Sequence, residues 1–116
     1  MENKYQLPKE FAEKWVAALR SGEYEQGEGM LYDDFYGTYC CLGVAAKICD
    51  APIDKIAKYS LLEIGGWFDE YGVPEALIGN NDTFIDSLTA MNDGFGTAKK
   101  SFPEIADWIE QNVEFI

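Results

Sequence analysis

Between Pro8 and Gly22 the apolar residues Phe11, Trp15, Val16 and Leu19 recur at helical spacing. A stripe of that width cannot stay in water, so it commits the chain to packing a helix against other elements. Pro8 suits a first turn, where its missing N–H would have had no partner. Ser21-Gly22 closes the segment, with Gly22 free to take the left-handed cap. The spacing predicts a helix over 8–21.

Further segments offer faces for it to pack on. Cys41–Cys49 reads CLGVAAKIC and places Cys41, Val44, Ala45 and Ile48 on one face of a short buried helix. Gly43 and the alanines permit close backbone approach. Asp50, Ala51 and Pro52 end it, because a proline disfavours helix at the preceding residue. Another helical turn is expected over 53–59. Asn81 or Asp82 caps a helix carrying Phe84, Ile85, Leu88 and Met91, which Asn92-Asp93-Gly94 terminates. Ser101 and Glu104 stand at capping-box spacing before a last helix that buries Phe102, Ile105, Ile109 and Trp108 and runs to about Asn112. Residues 60–80 lack a clean period. There Gly65-Gly66 marks a bend before Trp67, and Pro74 opens a short helix through Ile78.

The stretch from Gly22 to Tyr39 carries four glycines and four tyrosines. Extended pieces at Gly29–Tyr32 and Phe35–Tyr39, turning at Asp33-Asp34, predict a small hairpin. A two-stranded hairpin is marginal alone and must pack on helices. The expected fold is therefore mainly α (α+β): one domain over 1–116, with four to five helices and a small antiparallel β-hairpin. With 116 residues and 47% hydrophobic content, the chain can bury a core without a metal or disulfide. No apolar run approaches the ~18 residues of a membrane helix. The N-terminus MENKYQLPKE has no apolar core of a secretory signal.

Charge narrows the partners. The net charge is −12, split as −3 over residues 1–60 and −9 over 61–116, where Lys99 and Lys100 are the only bases. Such a surface repels phosphate backbones and anionic membranes, so neither nucleic acid nor membrane is an expected partner. A basic protein surface would be attracted and would associate faster at low salt.

Three cysteines, Cys40, Cys41 and Cys49, and no histidine remove the Ser–His and Cys–His nucleophile mechanisms. They also leave no usual zinc ligand set, so no metal or cofactor is expected. The odd count fits a reducing compartment. Gly94 to Ser101, GFGTAKKS, superficially suggests a phosphate loop, but Lys99 stands where its second glycine belongs and a helix precedes it. A helix N-terminus beside Lys99 and Lys100 could still hold one anion. Carboxylates Glu23, Glu25, Glu28, Asp33 and Asp34 crowd the hairpin, and Asp69 and Glu70 follow Trp67. Tyr24, Tyr32, Phe35, Tyr36 and Tyr39 share the same glycine-rich region; they either fill the core or supply contact area at low entropy cost. Arg20 is the only arginine. It either complements the dipole of the first helix or serves as a fork-shaped anion donor.

Three stretches together, WVAALRSGEYEQ (15–26), YCCLGV (39–44) and LTAMNDG…SFPEIADW (88–108), resemble a family of small uncharacterised proteins encoded by bacteriophages. The pattern covers most of the chain apart from residues 50–80. In this chain GFGTAKK is longer than the pattern there. The resemblance implies a viral accessory protein of the bacterial cytoplasm and carries no activity or catalytic residue. The leading expectation is a non-enzymatic acidic inhibitor of a host protein, such as a defence component, with a basic surface. The alternative is a sponge for a small nucleotide-derived signal, its base stacked by Tyr24, Tyr36 or Trp67 and its phosphates met by Arg20, Lys99 and Lys100. A virion or assembly component is the third. The composition fixes no oligomeric state.

Overall fold

The computed structural model describes residues 5–51, 82–94 and 98–116. Strand β1 (Tyr5–Leu7) leads into helix α1 (Lys9–Ser21), then β2 (Tyr32–Asp33), β3 (Thr38–Tyr39), α2 (Cys41–Ile48), α3 (Asp82–Asp93), α4 (Phe102–Asn112) and β4 (Val113–Phe115). Among the described residues these are four helices, two strand pairs and one core. The helix expected at 53–59, the bend at Gly65-Gly66 and the helix from Pro74 lie outside the described residues. No helix among them is long and apolar enough to cross a membrane.

α1 buries Ala12, Trp15, Val16 and Leu19, and Gly22 caps it at φ 80°. It packs mainly on α4 and next on α2. The Trp15 indole Nε1 donates to the Cys41 carbonyl at 3.0 Å, so the largest core side chain satisfies its one polar atom. α4 begins with both halves of the capping box: Ser101 Oγ accepts from the Glu104 N–H, and the Glu104 carboxylate accepts from the Ser101 N–H at 3.0 Å. Trp108 is only half-buried, against the expected core position; Ala106 takes the place beside Ile105 and Ile109.

α2 differs from its expected one-sided character. Cys41 through Ala46 are all buried, which is how a helix that is apolar all round must sit. A Cβ on Gly43 would lie 1.8 Å from the Leu31 carbonyl oxygen, so only glycine lets this backbone approach. The helix ends in a Schellman motif before Pro52 is reached. The Ala51 N–H returns to the Ala46 carbonyl at 3.2 Å, and the Asp50 N–H to Lys47 at 3.0 Å. Asp50 holds the left-handed position usually given to glycine, at φ 63°.

Two features depart from the sequence reading. β1 and β4 pair in parallel, Tyr5 with Val113 through Leu7 with Phe115, and the Ile116 N–H reaches the Leu7 carbonyl at 2.8 Å. Tyr5 stacks on Phe84 with ring centroids 4.5 Å apart. The hairpin forms, but its strands pair only Tyr32 with Tyr39 and Asp33 with Thr38. Its turn is Asp34 to Gly37 rather than Asp33-Asp34. Gly37 takes φ 68° and donates to the Asp33 carbonyl at 2.8 Å.

Candidate functional site

A hairpin of two residue pairs needs outside support, and three sources supply it. The segment before it runs alongside β3: Tyr39 N–H donates to Glu25 at 2.8 Å, and Gly27 N–H to Tyr39 at 2.7 Å. Gly27 is required there, since a Cβ would meet Thr38 Oγ1 at 2.2 Å. Tyr39 is buried between Tyr32, 4.7 Å away, and Tyr24, 5.2 Å away edge-on. Burial pushes the Tyr24 and Tyr39 hydroxyls above their ordinary pKa, so both stay neutral.

The third support is Asn92, the buried polar side chain among the described residues. Its Oδ1 accepts from the Cys41 N–H and from Gln26 Nε2, each at 3.2 Å. Its Nδ2 donates to the Gly27 carbonyl at 2.8 Å and to Asp93 Oδ1 at 2.9 Å. One amide thus ties α3 to the first turn of α2 and to the segment bearing Glu25 and Glu28. Cys40 completes that helix terminus, its Sγ accepting from the Gly43 N–H at 3.2 Å.

This scaffold holds an open cleft of about 440 Å3 beside the hairpin. The acidic residues Glu25, Glu28 and Asp33 line it, together with Gly27, Tyr36, Thr38 and Lys99. Lys99 Nζ lies 2.6 Å from Glu28, so the cleft's single cation is engaged by one of its own acids. At its edge stands the turn. Asp33 Oδ1 accepts from the Phe35 N–H at 2.9 Å and the Tyr36 N–H at 3.3 Å, an Asx turn that fixes both residues. Phe35 is 82% and Tyr36 71% exposed, and their rings meet edge to face at 4.7 Å.

The expected site residues fall in different places. Tyr36 and Lys99 share this cleft. Tyr24 is half-buried beneath the hairpin on Tyr39. Lys100 is not among the residues lining the cleft; its carbonyl accepts from Gln26 Nε2 at 2.8 Å. Arg20 is elsewhere: its Nη2 lies 2.6 Å from Asp107 and 2.5 Å from Glu110, clamping α1 to α4. That hydrogen bond holds the Glu110 carboxyl below its ordinary pKa. Trp67, Asp69 and Glu70 lie outside the described residues. The sequence left open whether Phe35 lies in the core or on the surface, where it is exposed, and marked Asn92 only as a helix end, not as a support. The only signal for the first was the Asp33–Gly37 pair bracketing Asp34, Phe35 and Tyr36, and nothing local signalled the second.

Burial disfavours the thiolate at all three cysteines. Cys40 and Cys41 are fully buried; desolvation pushes Cys40 up to about 12 and Cys41 well above its ordinary value, and Cys49 is raised for the same reason. No group of three or more acids and thiols among the described residues could hold a metal ion.

A family model described as a domain of unknown function, DUF8296, matches residues 7–59, the part of the chain that carries α1, the hairpin and α2. No curated protein and no solved structure matches the chain.

Proposed function

We propose that the protein is a non-enzymatic acidic binding protein that engages a basic surface on a partner protein. In the setting implied by the three phage-like stretches, it is a viral inhibitor of a host factor in the bacterial cytoplasm. The observation that carries this reading is the charge of the cleft. Glu25, Glu28 and Asp33 line it, and Lys99 offsets only Glu28. Such a cleft attracts lysine and arginine side chains and repels phosphate.

The nucleotide sponge finds one supporting observation, the presence of Tyr36 and Lys99 on one wall. A phosphate there would also face the carboxylates, and Arg20, the best fork-shaped donor, is held by Asp107 and Glu110. The acidic-binder reading is therefore preferred.

Two measurements separate these readings. Native and then denaturing mass spectrometry on one sample, purified from bacterial cytoplasm, is expected to return the bare chain mass both times. A nucleotide-sized mass lost on denaturation would instead establish the sponge. Capture on the immobilised protein at low salt should retain a basic protein that moderate salt releases, since exposed charge pairs are screened. Capture indifferent to salt, or of acidic proteins alone, would refute the proposal.

A further inference from the structure

The hairpin turn carries a second kind of information, independent of the cleft's charge. Large aromatic side chains seldom stand free on a monomer unless something covers them, and Phe35 and Tyr36 stand together at the end of a turn. The turn is not loose. The Asp33 carboxylate binds both backbone N–H groups, the Asp33 carbonyl binds Gly37, and β2–β3 is fastened below by Tyr39, Gly27 and Asn92. Side chains held this way lose little further freedom on binding, which is what interface anchors require.

The surroundings specify what covers them. Between Ser21 and Ala46 the chain has five acids, Glu23, Glu25, Glu28, Asp33 and Asp34, and no base. Glu28 is neutralised by Lys99. Among the described residues Glu23, Glu25 and Asp34 make no ion pair. On α4, by contrast, Asp107 and Glu110 are paired with Arg20. Among the described residues, acids without an opposing base therefore crowd the segment that carries the aromatic turn, while Glu13, Asp86 and Glu114 stand singly elsewhere. A second copy of this chain is a poor occupant, because a two-fold contact would set one acidic rim against its twin.

Resting on the acidic-binder reading, we propose that the Phe35–Tyr36 turn is the anchor of the interface. It inserts into an apolar socket on the partner whose rim carries lysine or arginine, which meets Glu23, Glu25 and Asp34. The turn supplies most of the affinity and the acidic rim supplies orientation and association rate.

The test uses the full chain labelled with 15N and two probes. One is a 12-residue peptide alternating arginine and leucine; the other has glutamate in place of arginine. The arginine peptide should bind at low salt and shift the amides of residues 33–37 and 23–28 most. Phe35→Ala with Tyr36→Ala should weaken it about 30-fold or more, the loss expected of a pair of anchors. The double variant should keep its melting temperature, since both side chains are exposed, while Glu104→Gln on α4 should keep its affinity. Shifts centred on α4, or spread evenly over every acidic face, would overturn the anchor and leave the acidic-binder reading standing. Equal binding of the glutamate peptide would overturn the basic rim. Concentration-dependent dimers abolished by the double variant would replace the partner with a second copy. Failure of the arginine peptide to bind at all would overturn both the anchor and the acidic-binder reading.

Discussion

Replacing Asn92 with alanine deletes one amide and disturbs three segments at once. The Cys41 N–H belongs to the buried first turn of α2, where no carbonyl of a preceding helical turn exists to accept from it. Stranding it costs about 1–3 kcal/mol in desolvation alone. The contacts to Gly27 and Gln26 are only partly buried, so water can replace them; each costs nearer ~1 kcal/mol. A loss of about 3 kcal/mol follows, a large share of the 5–15 kcal/mol typical of a whole domain. Urea unfolding followed by circular dichroism should show the midpoint falling with an unchanged slope. Asn92→Asp sharpens the test because it keeps the shape. Its second oxygen would face two acceptors, the Gly27 carbonyl at 2.8 Å and Asp93 Oδ1 at 2.9 Å. A carboxylate there is repelled and buried, so its pKa in the folded state is raised. The sign follows: the variant is destabilised above that raised pKa and recovers as pH falls through it, when the added proton restores a donor. Alanine gives no such recovery. An alanine variant within 1 kcal/mol of wild type, or an aspartate variant equally stable at pH 7 and pH 4, would refute the assignment of Asn92 as the tie between α2, α3 and the cleft wall.

Other substitutions probe the remaining supports. Arg20→Met should cost about 1 kcal/mol at neutral pH, a modest figure because the pair is partly exposed. The Glu110 carboxyl is depressed by Arg20, so this contribution is present above the ordinary glutamate range and is lost as pH falls through the lowered value; the two proteins should melt alike near pH 2. Gly43→Ala should lower the stability by about 2 kcal/mol or more, read as a lower urea midpoint, despite alanine's better helix propensity, because the clash is with the Leu31 backbone; a gain in stability would refute the close approach of α2 to Leu31. Asp50→Gly should raise the melting temperature by relieving a left-handed residue within an intact Schellman motif, worth about 0.5–1 kcal/mol; a fall would show that the Asp50 side chain makes a stabilising contact.

The helices could be read from the chain because their causes are local. Phe11, Trp15, Val16 and Leu19 repeat within one segment, Gly22 supplies its own stop, and Ser101 and Glu104 satisfy each other across three residues. The parallel pair could not be read, because neither Tyr-Gln-Leu nor Val-Glu-Phe has a pattern long enough to distinguish a strand. Those tripeptides are strands because α1 and α4 pack together and hold them side by side. The candidate site divides on the same line. Its composition was visible, since the acids and tyrosines of residues 23–39 lie within one stretch of sequence. Its geometry was not, because Lys99 and Asn92 reach it from segments more than sixty residues away. Arg20 makes the case most clearly: at a helix C-terminus it suits either a dipole or an anion, and only the arrival of Asp107 and Glu110 commits its guanidinium. The turn shifted for a related reason. Asp33 and Asp34 are both good turn residues, but Gly37 alone takes the positive φ at low cost. The loop therefore closes at Gly37, which frees the Asp33 carboxylate to bind the Phe35 and Tyr36 N–H groups. The same choice of turn leaves those two rings standing outward, so the residue that ends the loop also decides which aromatics this protein can offer to a partner.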